Sequence, residues 1–171
     1  MVNKPTPCTR CKLSKTRLCV VRSFGTFPAD VLFLWESPSK TDERLFKMGR
    51  TPEAKLLAEM LVDAADILSI PCPSFHIHPM VMCRPTTMKF GPDRLPEKDE
   101  VLSCAVHVLE AVRKVQPKQI FFTSKLVAAA WRKELPDALT LLPMEMLERQ
   151  GGKQSPYYLL TLRMLMEGLA W

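Results

Sequence analysis

The sequence predicts an α/β fold: three layers, α/β/α, around a central, mostly parallel four-stranded sheet. Three observations carry this. Short continuous apolar runs such as Val31 to Trp35 (VLFLW) and Gln119 to Thr123 (QIFFT) read as strands buried on both faces. Stretches with helical apolar spacing separate them, and strands alternating with helices build a parallel sheet covered on both sides. The chain has 171 residues, a length that suits one domain with its own core. A single domain over 1–171 is therefore expected, with 1–30 as a basic, cysteine-containing arm.

The elements follow in order. Residues 1–30 hold a Cys-x-x-Cys, many basic residues and little periodicity, so they read as a loop-rich arm packed on the domain. Val31–Trp35 begins after Pro28-Ala29-Asp30 and stops at Glu36-Ser37-Pro38. Glu53 to Leu68 places Leu56, Leu57, Met60, Leu61, Ala64, Ala65 and Leu68 on one helical stripe. Thr51 stands there as N-cap and Pro52 as first helical residue. Ser74 to Met82 is a second strand, weakened by Pro79, which cannot donate to a ladder. Thr86 to Pro96 reads as a loop and Glu97 to Val115 as a helix carrying Cys104. Gln119–Thr123 is the third strand and Lys125 to Leu135 the third helix. Ala138 to Leu142 is the fourth strand, Glu148 to Ser155 a polar loop, and Pro156 to Leu169 the last helix. In such a sheet a ligand is expected at the carboxyl ends of the strands: Glu36 to Lys40, Pro79 to Arg84, Ser124-Lys125 and Pro143 to Leu147.

Composition narrows the class. The apolar fraction is 47% and the charged fraction 25%, ordinary for a globular protein. No apolar run approaches the roughly 18 residues of a membrane span. The opening MVNKPTPCTRC has no apolar h-region, so an intracellular protein is expected. The net charge of +6 favours a polyanionic partner through counterion release, beside the plainer reading of a soluble basic protein. Lys4, Arg10, Lys12, Lys15, Arg17 and Arg22 concentrate that charge in the arm.

Six cysteines in a reducing compartment point to metal binding or burial rather than disulfides. Cys8-Thr-Arg-Cys11 alone suits zinc, redox chemistry or nothing. Cys83 follows the second strand and Cys104 lies on the next helix. Four thiolates converging from arm and body suit zinc or a [4Fe–4S] cluster, and spacing does not separate the two. Cys83 and Cys104 also read as buried small hydrophobes. Cys72, between two prolines, reads as a free thiol, and Cys19 is an alternative ligand.

Several stretches, in order, resemble the family 4 (iron–sulfur) uracil-DNA glycosylases over nearly the whole chain. They are CTRCKLSKTRLCVV, ADVLFLWESPSKTDE, MGRTPEAKLLAEML, HPMVMCRP, LPEKDEVLSC and QPKQIFFTSKLVAAAW. The resemblance implies a uracil-DNA glycosylase-like fold and a structural [4Fe–4S] cluster on Cys8, Cys11, Cys83 and Cys104, with zinc as the other candidate. Thr86 to Arg94 lengthens the interval between the last two cysteines. The departures fall on the family's active-site motifs. Trp35 and Ser39 stand where the family has Gly, while Glu36, Pro38 and the acidic pair Asp42-Glu43 are kept. Gly49-Arg50 leads into Thr51-Pro52-Glu53 without the family's Phe. Pro79 stands for an Asn, and Pro143 to Leu147 for a His-Pro motif.

Cleaving the bond to an extruded pyrimidine needs a pocket, charge stabilisation of the leaving base and a carboxylate or water-positioning group. Glu36 is the expected catalytic carboxylate; its plainer role is a loop or capping carboxylate. Trp35, Ser37, Pro38, Ser39, His78 and Glu145 are the expected substrate-binding residues. Trp35 otherwise reads as core and His78 as a structural histidine. A carboxylate at Glu145 accepts from a base amino group but repels phosphate. Lys12, Lys15, Arg17, Lys40, Arg84, Arg149 and Lys153 are the expected DNA contacts; the resemblance places the last two on a loop pressed against DNA.

The function implied is a monomeric DNA glycosylase, without membrane association, acting on uracil or a modified pyrimidine in single- or double-stranded DNA. The rival readings are a catalytically inactive DNA- or protein-binding homologue and a base-modifying transferase on the same scaffold.

Overall fold

The computed structural model describes residues 8–171. Five strands form one sheet in the order β1-β3-β2-β4-β5: β1 Phe24–Gly25, β2 Val31–Trp35, β3 Phe75–Pro79, β4 Gln119–Phe122 and β5 Leu139–Thr140. β2 pairs in parallel with both β3 and β4, so that Leu34 lies opposite His78 on one side and Phe122 on the other. The mostly parallel sheet expected from the apolar runs is present, with a fifth strand added. β1 runs antiparallel along β3 at the edge. Two residues leave no periodic trace, so this part of the arm read as loop. Gly25 has φ +125°, and a Cβ there would stand 2.2 Å from the Phe75 carbonyl oxygen; only glycine fits this close pairing. Pro79 is the last residue of β3, where its missing donor does no harm. The next amide, Met80 N–H, donates to the Trp35 carbonyl at 2.6 Å.

Among the described residues six α-helices cover the sheet: α1 Lys40–Arg44, α2 Pro52–Leu68, α3 Lys98–Val115, α4 Lys125–Trp131, α5 Met144–Arg149 and α6 Tyr158–Leu169. Alternation along β2 separates two cores. Val31 and Phe33, with Ile77 and Phe121, pack under α2, α5 and α6, where Phe33 and Phe121 stack at 5.6 Å. Leu34 and Phe122 pack on the opposite face with Val108 of α3 and with Val127 and Trp131 of α4. This is the expected α/β/α layering. α2 begins as the sequence predicts: the Thr51 hydroxyl accepts from the Ala54 amide at 3.4 Å and Pro52 opens the first turn.

α1 and α5 were not expected, being five and six residues long, too short for an apolar period. α4 stops at Trp131 rather than Leu135, and α6 starts at Tyr158 rather than Pro156. The described part of the arm is held on the body. Leu13, in the 3-10 turn Lys12–Lys15, is buried in the α3/α4 core. Val21 N–H donates to Met82 O and Met48 N–H to Arg22 O, both at 2.8 Å. The helices after β2 and after β4 lie on opposite faces, which opens a crevice at the carboxyl ends of these neighbouring strands.

Candidate active site

A cleft of about 440 Å³ occupies that crevice. Trp35 to Ser39 form one wall as the chain leaves β2. Asp42 of α1, Thr51 and Glu53 at the start of α2, Asp93 to Leu95 of the long loop, and Glu145 and Arg149 of α5 supply the rest. A smaller hollow of about 60 Å³ beside it shares Trp35, Glu36 and Glu145 and adds Thr123, Ser124, Pro143 and Met144. Glu36 therefore stands between the two hollows, at the end of the central strand. Its carboxylate has no hydrogen-bond or ion-pair partner among the described residues.

Of the residues expected at the substrate, Trp35, Glu36, Ser37, Pro38, Ser39 and Glu145 come together here. Trp35 is half-buried, packs on the α2 core as the core reading expected, and also lines the cleft. The Ser39 hydroxyl is committed to capping α1. It accepts from the Asp42 amide at 3.2 Å and donates to Asp42 Oδ2 at 2.7 Å.

That box buries Asp42, whose side of the cleft the sequence reading did not assign. Asp42 is 2% exposed, and its Oδ1 has no hydrogen-bond partner. Burial raises its carboxyl pKa above the usual range, the bonds from Ser39 and from the Arg50 backbone oppose this, and the charge of Glu53 adds to the rise. The available signal was an acid three residues after a serine, the spacing of a capping box.

His78 is placed elsewhere. It points to the α3 face and lines a separate hollow of about 170 Å³ with Phe27, His107 and Glu110. It is 4% exposed and neither ring nitrogen has a partner. Burial, with the neighbouring His76 and His107, lowers its pKa to about 3.

The expected DNA contacts divide into two groups. Lys15, Lys40 and Arg149 are exposed, and Arg149 stands 3.8 Å from Glu145. Lys12 is paired with Glu97 and Asp99, and Lys153 with Glu59 and Asp63. Arg17 Nη1 donates to Cys83 Sγ at 3.1 Å and Nη2 to the Cys8 carbonyl at 2.6 Å. Arg84 is buried between Glu43 and Asp93 and also donates to the Gly91 carbonyl. Its guanidinium faces inward because two acids and a carbonyl surround it there, which turns it away from phosphate. Lys4 lies outside the described residues.

Cys83 and Cys104 are buried and Cys8 and Cys11 half-buried. Cys11, Cys83 and Cys104 adjoin the α3/α4 core together with Leu13. Burial raises the thiol pKa of Cys83 against the opposing pull of Arg17, and burial, with smaller contributions from Cys83, Cys11 and Cys8, raises that of Cys104 to about 11. The four thiols are thus neighbours, although among the described residues no three metal-ligating side chains close on one point. As a donor set, four soft sulfur ligands fit a thiolate-bound iron or zinc group. Cys19 donates instead to the Glu43 carbonyl at 3.4 Å, and Cys72 is exposed.

No family model matches the chain. Among curated proteins it is similar to the type-4 uracil-DNA glycosylase of Saccharolobus solfataricus, with 28% identity over 110 residues, 64% of this chain and 47% of the relative. The type-4 uracil-DNA glycosylase of Sulfurisphaera tokodaii is 27% identical over 113 residues, 66% of this chain and 48% of the relative. That of Archaeoglobus fulgidus is 24% identical over 121 residues, covering 71% and 56%. The chain is a distant homologue of these glycosylases, as the motif order implied, and spans about half the length of the curated relatives it matches.

Proposed function

We propose that this chain is a DNA-base glycosylase-like protein that takes an extruded pyrimidine into the cleft and breaks its N-glycosidic bond. The observation that carries this is Glu36: an unpaired carboxylate at the carboxyl end of the central strand, between two hollows, in a chain homologous to type-4 uracil-DNA glycosylases. The bond from the sugar carbon to the base nitrogen breaks with its electron pair leaving on the base. The sugar develops positive charge, which the Glu36 carboxylate stabilises. Water then adds to that carbon, Glu36 accepts its proton, and the base leaves with a proton from solvent. Trp35 offers a ring face to the base at the cleft wall. Of the expected phosphate contacts, Lys15, Lys40 and Arg149 are exposed.

The same reading assigns Cys8, Cys11, Cys83 and Cys104 to a [4Fe–4S] cluster. These residues would hold the group between the arm, through Cys8 and Cys11, and the body, through Cys83 and Cys104, where it would supply a structural cross-link. Arg17, hydrogen-bonded to Cys83, supplies a positive charge beside these thiols.

A non-catalytic DNA-binding homologue is the second reading, and Trp35 favours it: its indole fills part of the cleft wall where the family motif has glycine. Base release from single- and double-stranded oligonucleotides carrying uracil, 5-hydroxymethyluracil and related pyrimidines, using anaerobically purified protein, decides between the two. Release that disappears in Glu36→Gln supports the glycosylase. Binding without release supports the second reading, and an altered base left in the strand identifies a base-modifying transferase.

A further inference from the structure

The stretch from Thr86 to Arg94, which lengthens the interval between Cys83 and Cys104, carries two large apolar side chains into water. Met88 is 64% and Phe90 68% exposed, and both stand outside the buried cores. A single apolar residue on a surface is ordinary. Here the loop beneath the pair is tied down from within. Gly91 N–H donates to the Met88 carbonyl at 3.0 Å and Arg94 N–H to the Pro85 carbonyl at 3.1 Å. The buried Arg84 guanidinium donates to the Gly91 carbonyl and to Asp93, whose Oδ2 accepts from the Lys40 amide at 3.3 Å. The backbone at the tip is a second, independent feature. Phe90 has φ +65°, in the left-handed region that a bulky side chain seldom enters. The free protein thus meets two costs at one residue, an unfavourable backbone and an aromatic ring in water, and no core contact offsets either. Strain held in place by its surroundings gathers where a ligand is gripped.

The chemistry around the ring selects the partner. The Lys89 ammonium lies 5.6 Å from the centre of the Phe90 ring. Lys40 and Arg44, on the helix that meets Asp93, are exposed and have no ion pair among the described residues. An aromatic face among cations suits a nucleic-acid strand, whose bases stack while its phosphates seek positive charge. Asp93, three residues beyond Phe90, already lines the cleft. Three residues span at most about 11 Å, roughly three nucleotides at about 3.4 Å each along a strand. Resting on the reading of the cleft as a base site, we propose that Phe90, with Met88 beside it, is a stacking platform for the DNA base two or three nucleotides from the extruded one. Lys89 and Lys40 take the phosphates between the two bases.

The test uses single-stranded oligonucleotides with uracil at one position and the fluorescent base 2-aminopurine, whose emission is quenched by stacking, one to four nucleotides to either side. The expected result is quenching on binding at two or three nucleotides from the uracil on one side, lost in Phe90→Asn. Asparagine enters the left-handed region more readily and carries no ring. Phe90→Asn therefore unfolds at the same or a higher urea concentration, yet binds the strand at least about fivefold more weakly by anisotropy. Its salt dependence is unchanged, because no phosphate contact is lost. A residue serving only the fold would lose stability instead. A parent protein that binds no strand, or a variant with the parent's affinity and the parent's quenching, overturns the inference, the second outcome leaving the tip to a protein partner. Base release is followed on the same strands. Release without quenching that depends on Phe90 removes the platform and keeps the glycosylase reading. Quenching that depends on Phe90 without release does the reverse.

Discussion

Arg84 Nη1 stands 3.3 Å from Glu43 Oε2, and each of the two side chains is 3% exposed. The pair joins three segments distant in sequence. Glu43 also accepts from the Leu18 amide at 2.8 Å, which ties down the arm. Arg84 also holds Asp93 and the Gly91 carbonyl, which fixes the long loop whose Asp93 to Leu95 line the cleft.

Arg84→Met should therefore destabilise the protein by about 3–5 kcal/mol, because it leaves Glu43 as a buried charge without its partner. Removing both charges, in Arg84→Met with Glu43→Leu, should cost less than the single change. Urea unfolding midpoints of the two variants and the parent measure this, and a double variant weaker than Arg84→Met would show that the pair is not the source of the loss.

Glu36→Gln should lower base release by at least about 10²-fold without weakening DNA binding, since it removes a negative charge from a cleft that faces a polyanion. Single-turnover assays and anisotropy on the same oligonucleotide separate the two effects. Undiminished release would assign the carboxylate role to another residue.

Stability should fall as pH drops below about 6.5. His76 is fully buried and His78 nearly so; burial lowers their pKa values from 6.5 to about 4 and about 3. Above 6.5 both are neutral, folded or unfolded, and contribute no slope. Below it the unfolded chain binds protons that the folded one refuses, until His76 titrates near 4 and His78 near 3. Each histidine then removes roughly 1.4 kcal/mol per pH unit. Denaturant midpoints measured from neutral pH downward give the slope, and His78→Leu should flatten it. An unchanged slope in that variant would show that His78 is not held neutral.

Cys104→Ser and Cys83→Ser should each lower bound iron and the broad visible absorbance of anaerobically purified protein, and lower its melting temperature. Cys72→Ser should change neither, since that thiol is exposed between two prolines. Cys19→Ser should keep its iron, because its thiol is turned to the Glu43 carbonyl. Iron and acid-labile sulfide analysis provides the readout. Full iron in Cys104→Ser would remove it from the ligand set, and zinc without sulfide would replace the cluster.

The sequence by itself determined the central strands, because a strand buried on both faces must be a continuous apolar run and Val31–Trp35 and Gln119–Phe122 are such runs. It also determined the start of α2 from Thr51 and Pro52, and the stretch from Trp35 to Ser39 as a cleft wall, since strand ends in a parallel sheet face the ligand side. These follow from local periodicity and capping. Only the tertiary structure decided the edge strand Phe24–Gly25, the burial of Arg84, the turning of His78 to the α3 face, and the placing of Asp42 and Glu53 against Glu36 and Glu145. Each depends on which segments, tens of residues apart, meet in space. A charge in a sequence carries no sign of whether it will face water, a buried partner or another charge of its own kind.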